Sequence, residues 1–339
     1  MQTILETSIS KYVIIEQIGQ GGTCTVLKGY CLSDSSKKLY AIKLYNEDSK
    51  KYFEKEIRIK NMLPQENFLH TYNCGDGYIH KEEKNTENEN ENIESSKILY
   101  SLDKYNGKVF YIIEELAENG ELFDYVYKLK EGFSERNSAK IFLEILKNLR
   151  IMHENRIAHC DIKPENIIIG NDFSIKLIDF GFSEILDKES NFIYEYKGSE
   201  IYCSPEIRNR NMNGYDGIKS DIFSMGVLLF VITVGRFPFE KCSYSDRKYR
   251  LIMNKKYEDF WCYFDKYNLS KEFRNLMENL LCYDPSERFS IEEILRHPWM
   301  KINDAYEDNE YKNTHYNNND IEVVEELRAR KEIIDIKER

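Results

Sequence analysis

The residues with the most chemical promise lie in one stretch, Ala158-His159-Cys160-Asp161-Ile162-Lys163-Pro164-Glu165-Asn166, and, thirteen positions past its end, in Asp179-Phe180-Gly181. Moving a phosphoryl group needs little covalent help and much positioning: a carboxylate beside the attacking hydroxyl, a cation on the transferring phosphate, and oxygen ligands for magnesium. Asp161 can orient a hydroxyl and accept its proton, and Lys163 can hold the phosphate. Asn166 and Asp179 can offer hard oxygen ligands to Mg2+, with water and phosphate filling its other positions. The bland reading of the same residues is a charged loop between core strands, because Ile167-Ile168-Ile169 and Ile175-Lys176-Leu177-Ile178 look like ordinary buried strands. Two motifs at this spacing favour chemistry over that reading.

The order H-C-D-I-K-P-E-N followed by D-F-G resembles the catalytic loop and D-F-G turn of the eukaryotic protein-kinase family, and Lys163 resembles its serine/threonine branch. The resemblance implies an α+β, two-lobed protein kinase fold: a small antiparallel β-sheet N-lobe with one main helix and a larger helical C-lobe. It implies a protein kinase that transfers the γ-phosphate of ATP, with Asp161, Lys163, Asn166 and Asp179 catalytic and Asn166 and Asp179 holding magnesium.

Elements that must position a nucleotide stand upstream. The alternation from Tyr12 to Ile18 reads as a strand and runs into Gly19-Gln20-Gly21-Gly22-Thr23-Cys24-Thr25-Val26. Gly19, Gly21 and Gly22 let backbone amides approach phosphates closely. Cys24 replaces the family's third glycine, and Thr23 stands where an aromatic is usual. The hairpin precedes Ala41-Ile42-Lys43, and the resemblance implies that Lys43 contacts the α- and β-phosphates and needs a helix carboxylate to hold it. Glu56, in the helical segment 52–63, is the candidate, and Glu54 competes for the role. By the same resemblance adenine meets backbone at Glu115 and Ala117, between Val26 and Ala41 on one side and Ile168 on the other.

Downstream, Gly198-Ser199-Glu200-Ile201-Tyr202-Cys203-Ser204-Pro205-Glu206 resembles the end of an activation segment, Asp221 the anchor of the catalytic loop, and Arg288 the partner of Glu206. His297-Pro298-Trp299-Met300 closes the domain in a manner similar to the calcium/calmodulin-dependent kinase group. The ordered set spans residues 12–300. A pseudokinase scaffold is the alternative, although it would need none of Lys43, Asp161, Asn166 and Asp179. A small-molecule phosphotransferase would not need the segment 198–206.

Specificity and control leave their own marks. Glu121 and Glu165 occupy positions where basophilic relatives pair a substrate arginine, a fork meeting a carboxylate, so basic peptide partners are expected. The residue before Asp161 is Cys160, which cannot bind an activation-loop phosphate, and the usual phosphosite is Glu195. Activity without activation-loop phosphorylation is the expectation. Glu114 takes the position at the back of the adenine pocket, and Lys60, four past Glu56, takes a helix position that is usually apolar. Either they form a partly buried ion pair, or the helix register differs and Lys60 faces solvent.

The whole chain sets bounds. Its 339 residues, 41% hydrophobic and 32% charged, suit one large or two moderate soluble domains. The apolar run 225–234 is short of a membrane span, and no signal-peptide core opens the chain. Eight scattered cysteines without a C-x-x-C pair read as reduced thiols, making a cytosolic or nuclear setting the default. A net charge of −11 speaks against nucleic-acid or anionic-membrane surfaces and suits basic peptides. Residues 1–11 read as a tail, 12–117 as N-lobe, 118–300 as C-lobe and 301–339 as an acidic tail. Within the N-lobe, 81–97 is a low-complexity polar insertion expected to be disordered. The last segment, 321–336, has helical potential. Its surroundings, 320–339, carry seven acidic and five basic residues, which is not the basic helix calmodulin prefers.

Overall fold

The computed structural model describes residues 2–82, 105, 107–209, 213–302 and 321–338, so the insertion expected at 81–97 lies outside the described residues beyond Glu82, as does the polar stretch 304–320. Contacts divide the chain into two compact units, Met1–Ala117 and Glu118–Arg339.

The first unit is a closed antiparallel barrel in the order β1-β2-β3-β4-β6-β5, with one helix. Its strands are β1 (Gln2–Thr7), β2 (Lys11–Gln20), β3 (Thr25–Cys31), β4 (Leu39–Tyr45), β5 (Thr71–Glu82) and β6 (Gly107–Glu115). Helix α1 is Lys50–Met62. Inward residues, among them Leu5, Ile14, Leu27, Ile42, Tyr111 and Ile113, interleave in the barrel core.

Residues expected to be a tail close this barrel: Leu5 pairs with Tyr12 on one side and Ile79 on the other. The turn between β1 and β2 is fixed by the Thr7 hydroxyl, which accepts from Ser10 N at 2.9 Å and donates to Ser10 O at 2.7 Å. Gly77 admits the far side of β1, since a Cβ there would stand 2.6 Å from Glu6 O. The expected small antiparallel sheet is present and is closed into a barrel, because β1 pairs with both β2 and β5 and buries Ile4 and Leu5.

The second unit is mainly helical. It contains α2 (Leu122–Tyr127), α3 (Glu135–Glu154), α4 (Pro205–Arg208), α5 (Gly217–Val234), α6 (Arg247–Met253), α7 (Tyr257–Trp261), α8 (Lys271–Leu280), α9 (Ile291–Arg296), α10 (Pro298–Ile302) and α11 (Ile321–Glu338). Three two-stranded ribbons complete it: β7 (Ile157–Ala158) with β10 (Glu184–Ile185), β8 (Ile167–Ile169) with β9 (Ile175–Leu177), and β11 (Phe192–Ile193) with β12 (Tyr215–Asp216).

Helix starts are chemically marked. Ser134 caps α3 by accepting from Asn137 N, Asp216 caps α5 from Lys219 N, and α9 opens with a reciprocal Ser290–Glu293 capping box. Helix α5 is long and apolar enough to cross a membrane, but 83% of it is buried inside the unit, where it is the central core helix. Trp299 is fully buried, and its indole N–H donates to Glu135 at 2.7 Å, tying the end of the family-like region to the start of α3.

Candidate active site

The functional residues fall into two sets, one in each unit. In the first unit, β2 and β3 form a hairpin closed by Gly21 N donating to Cys24 O at 2.9 Å. A Cβ on Gly22 would meet nothing within 4 Å, and one on Gly21 only Cys24 O at 3.6 Å. Neither glycine is required by packing within the protein, as suits a turn whose bare backbone faces a phosphate. Val26 follows in β3, against Gly19, and Ala41 is buried in β4.

Lys43, two residues on, is buried, and its Nζ lies 2.6 Å from Glu56 Oε1. Glu56 Oε2 accepts from the Tyr45 hydroxyl, also at 2.6 Å. The competing Glu54 is 61% exposed and pairs with Lys50, so α1 presents Glu56 to the strand. Tyr45 did not figure among the expected site residues, although it stands two past Lys43 on the same strand face. Its phenol is pushed well above its ordinary value by burial, and then by the charge of Glu56, so it stays a donor.

One turn further along α1, Lys60 pairs with Glu114, their side chains 11% and 2% exposed. The helix register that faces Lys60 to solvent is thereby excluded. Glu114 stands opposite Ala41 in the β4–β6 ladder, and α1 is consequently held to the sheet by two ion pairs a turn apart. Glu115 ends β6, and its N–H donates to His70 O at 2.9 Å. A hydrogen bond from Glu115 to an adenine must therefore use its carbonyl. Ala117 is the last residue of this unit.

In the second unit, everything converges on Asp161. Its Oδ2 accepts from Lys163 Nζ at 2.8 Å and Asn166 Nδ2 at 3.0 Å, and its Oδ1 from Ser199 N at 2.9 Å and Ser199 Oγ at 2.8 Å. Lys163 also reaches Ser199 Oγ at 2.8 Å. Burial pushes the Asp161 carboxyl up, but the hydrogen bond and charge of Lys163, with the Ser199 bond, outweigh it and leave the group below its ordinary value. It is an ionised, fixed acceptor. Ser199 is not among the residues that the sequence singles out: it lies in the segment 198–206, and nothing local shows that it reaches Asp161.

The loop itself is strained into shape. Cys160 and Asp179 have left-handed φ values of 64°, which cost energy for residues with a Cβ and persist only where the surroundings fix them. Asp221 does so for Cys160 by accepting from His159 N and Cys160 N, each at 2.8 Å. Arg288 closes the far end of the segment with a bidentate bond to Glu206 at 2.6 and 2.7 Å.

Donor chemistry decides whether magnesium fits. Asn166 commits its Nδ2 to Asp161, which leaves its oxygen for a ligand, and Asp179 accepts Gly181 N on Oδ1 at 3.1 Å, which leaves Oδ2. Two hard oxygens suit a cation that keeps water and phosphate as its remaining ligands. Among the described residues no group of three or more His, Cys, Asp or Glu could hold a metal alone. Ile168 lies in β8, bridged to Glu121 at the start of α2.

Residues 12–300 match the family model described as protein kinase domain. The chain belongs to the protein kinase domain family. Similar proteins include probable serine/threonine-protein kinase MARK-A of Dictyostelium discoideum, 29% identical over 86% of this chain and 24% of that protein. Serine/threonine-protein kinase kin-29 of Caenorhabditis elegans is 33% identical over 60% of this chain and 23% of that protein. Serine/threonine-protein kinase PLK4 of Drosophila grimshawi is 27% identical over 86% and 34%. The chain spans about a quarter to a third of the length of these relatives, and what the family model shows in it is a protein kinase domain.

Proposed function

We propose that this protein is an ATP-dependent kinase that phosphorylates serine or threonine in protein substrates bearing a basic residue upstream, and that it works without activation-loop phosphorylation. The observation that carries the reaction is Asp161, held at both oxygens by Lys163, Asn166 and Ser199. A substrate hydroxyl placed at this carboxylate is oriented for attack and gives up its proton to it. A bond forms between that oxygen and the γ-phosphorus as the bond to the β-phosphate oxygen breaks, and Lys163 offsets charge on the moving group. Magnesium, when bound at Asn166 and Asp179, supplies charge neutralisation on the phosphates. Lys43, aligned by Glu56 and Tyr45, is the α- and β-phosphate contact. Purified protein with labelled ATP, magnesium and a basic peptide library tests this. Label should transfer to serine and threonine, and Asp161→Asn should lower the rate by roughly 10³-fold or more. A wild-type protein that binds nucleotide and transfers no label is the pseudokinase outcome.

Two carboxylates support the basic preference. Burial, then the charges of Asp124 and Glu165, push the Glu121 carboxyl up to about 7, and burial raises Glu165. Glu165 Oε2 is buried without a hydrogen-bond partner. Two such acids are poised to accept a guanidinium.

Independence from phosphorylation is supported by what replaces it. Cys160 lies in an apolar cluster with Ala158, Leu186, Ile193, Cys203, Ile207 and Tyr215, which draws the activation segment onto the catalytic loop. Lys197, 6% exposed, pairs within the segment with Glu184 and with Glu195 at 3.4 Å.

The His297–Met300 ending supports a place near the calcium/calmodulin-dependent kinase group, and the burial of Val323, Leu327 and Ile334 of α11 supports a role for that helix other than calmodulin binding. Eight cysteines present as thiols support a cytosolic setting.

A further inference from the structure

Helix α11 lies outside the family-matched residues 12–300, yet it is docked on α2 and α3. Val323, Leu327, Arg330 and Ile334 are its buried residues, spaced to share one face. An arginine in such a face needs a reason. Every guanidinium N–H of Arg330 is used. Nη1 donates to Tyr125 O at 2.9 Å and Glu131 O at 3.0 Å, Nη2 to Gly132 O at 2.8 Å and Glu326 at 2.7 Å, and Nε to Glu326 at 2.9 Å. The group also lies 3.9 Å from the centre of the Phe133 ring.

The three carbonyls belong to the end of α2 and to the link that follows it. That link cannot satisfy them by regular structure: Lys130 has a φ of 58°, and a Cβ on Gly132 would stand 2.1 Å from Thr233 O. Glu326 carries the counter-charge and ties the arrangement to Asn137 of α3, while Lys337 donates to Lys128 O at 3.1 Å. From α2 the connection runs on to Glu121. The Tyr125 hydroxyl donates to Asn119 O at 2.9 Å, and Asn119 Nδ2 donates to Gly170 O at 2.7 Å. Glu121, between Asn119 and Tyr125 in the chain, is the N-cap residue immediately before the six-residue α2.

We infer that α11 is a positioning element of the kinase domain, and that Arg330, by completing the link after α2, sets Glu121 for the basic residue of the substrate. The inference rests on the basophilic reading of Glu121. It is tested in the full chain with Arg330→Ala, using one peptide with a basic residue upstream and the same peptide with alanine there, alongside amide hydrogen exchange over residues 122–134. Arg330→Ala should raise the KM of the basic peptide about tenfold, a loss near 1.4 kcal/mol, and leave kcat, the KM for ATP and the KM of the alanine peptide within about twofold. Exchange over 122–134 should speed up, and Arg330→Lys should restore part of the effect. Should Arg330→Ala not yield folded protein, Glu326→Gln, which removes only the counter-charge, should shift the same two readouts in the same direction. Faster exchange with an unchanged KM would leave α11 a merely structural prop and overturn the inference, as would a higher kcat/KM, which marks an autoinhibitory helix. Wild-type protein that does not distinguish the two peptides instead sinks the basophilic reading, and the exchange data then judge the grip of α11 on α2 separately.

Discussion

Removing one partner of the Lys60–Glu114 pair should harm the protein more than removing both. The two side chains are 11% and 2% exposed, so neither is solvated enough to stand alone. Glu114→Ala removes the carboxylate that pairs with the Lys60 ammonium and that the Thr71 hydroxyl reaches at 3.5 Å. Breaking a buried pair in this way costs about 3–5 kcal/mol, whereas replacing both members with well-packed apolar residues is commonly neutral or better. At about 4 °C per kcal/mol for a unit the size of Met1–Ala117, Glu114→Ala should lower the melting temperature by on the order of 10–20 °C. The double variant Lys60→Met/Glu114→Leu should recover most of that, giving a coupling energy of roughly 2–3 kcal/mol. Thermal and urea unfolding of the wild type, both single variants and the double variant complete the cycle. A Glu114→Ala protein within about 0.5 kcal/mol of wild type, or a coupling near zero, would refute the reasoning. Activity gives a second readout. The pair sits one helical turn from Glu56, so the single variants should also loosen Lys43–Glu56 and raise the KM for ATP, while the double variant should do so less.

Other outcomes follow from the same geometry. With the Glu121 carboxyl at about 7, the ionised fraction rises from roughly a tenth at pH 6 to nine-tenths at pH 8. The KM for a basic peptide should therefore fall by up to about tenfold over that range, and Glu121→Gln should flatten the profile. The same raised value means that the folded state holds a proton the unfolded state has lost between about pH 4.5 and 7, so this group's contribution to stability declines as pH rises through that window. Lys197→Ala should lower kcat/KM and expose residues 184–197 to limited proteolysis, while phosphatase treatment of the wild type should leave its rate unchanged. Leu5→Asp places a charge at a fully buried position of β1 and should abolish cooperative unfolding of the first unit, measured by circular dichroism.

Legibility in the sequence tracked distance along the chain. Asp161, Lys163 and Asn166 lie within six residues of one another, so residue types and spacing alone expose their chemistry. Glu56 was harder, since two glutamates on one helix competed, and only the helix register against β4 separates them. Ser199 shares Asp161 across 38 positions, and no local pattern marks a serine that donates to a catalytic carboxylate. The Lys60–Glu114 pair was legible for a different reason. Two charges at positions that demand burial are each costly alone, and the same cost that makes either look like an error makes the pair the economical solution.

Strand β1 and Arg330 show what a local reading leaves out. Gln2–Thr7 holds only Ile4 and Leu5 as apolar core residues, too short a pattern to mark a strand, and its pairing with β5 joins residues about 75 positions apart. What makes it a strand is the two open edges it meets, a property of the folded sheet that no window of sequence contains. Arg330 sits in a helix whose composition looks evenly charged, and its burial becomes reasonable only once the unpaired carbonyls of residues 125, 131 and 132 are known. In both places the deciding quantity is an unsatisfied backbone group elsewhere in the fold. A terminal segment that supplies such a partner is part of the domain even where the family's residues have ended, so it should be judged by the hydrogen bonds it completes.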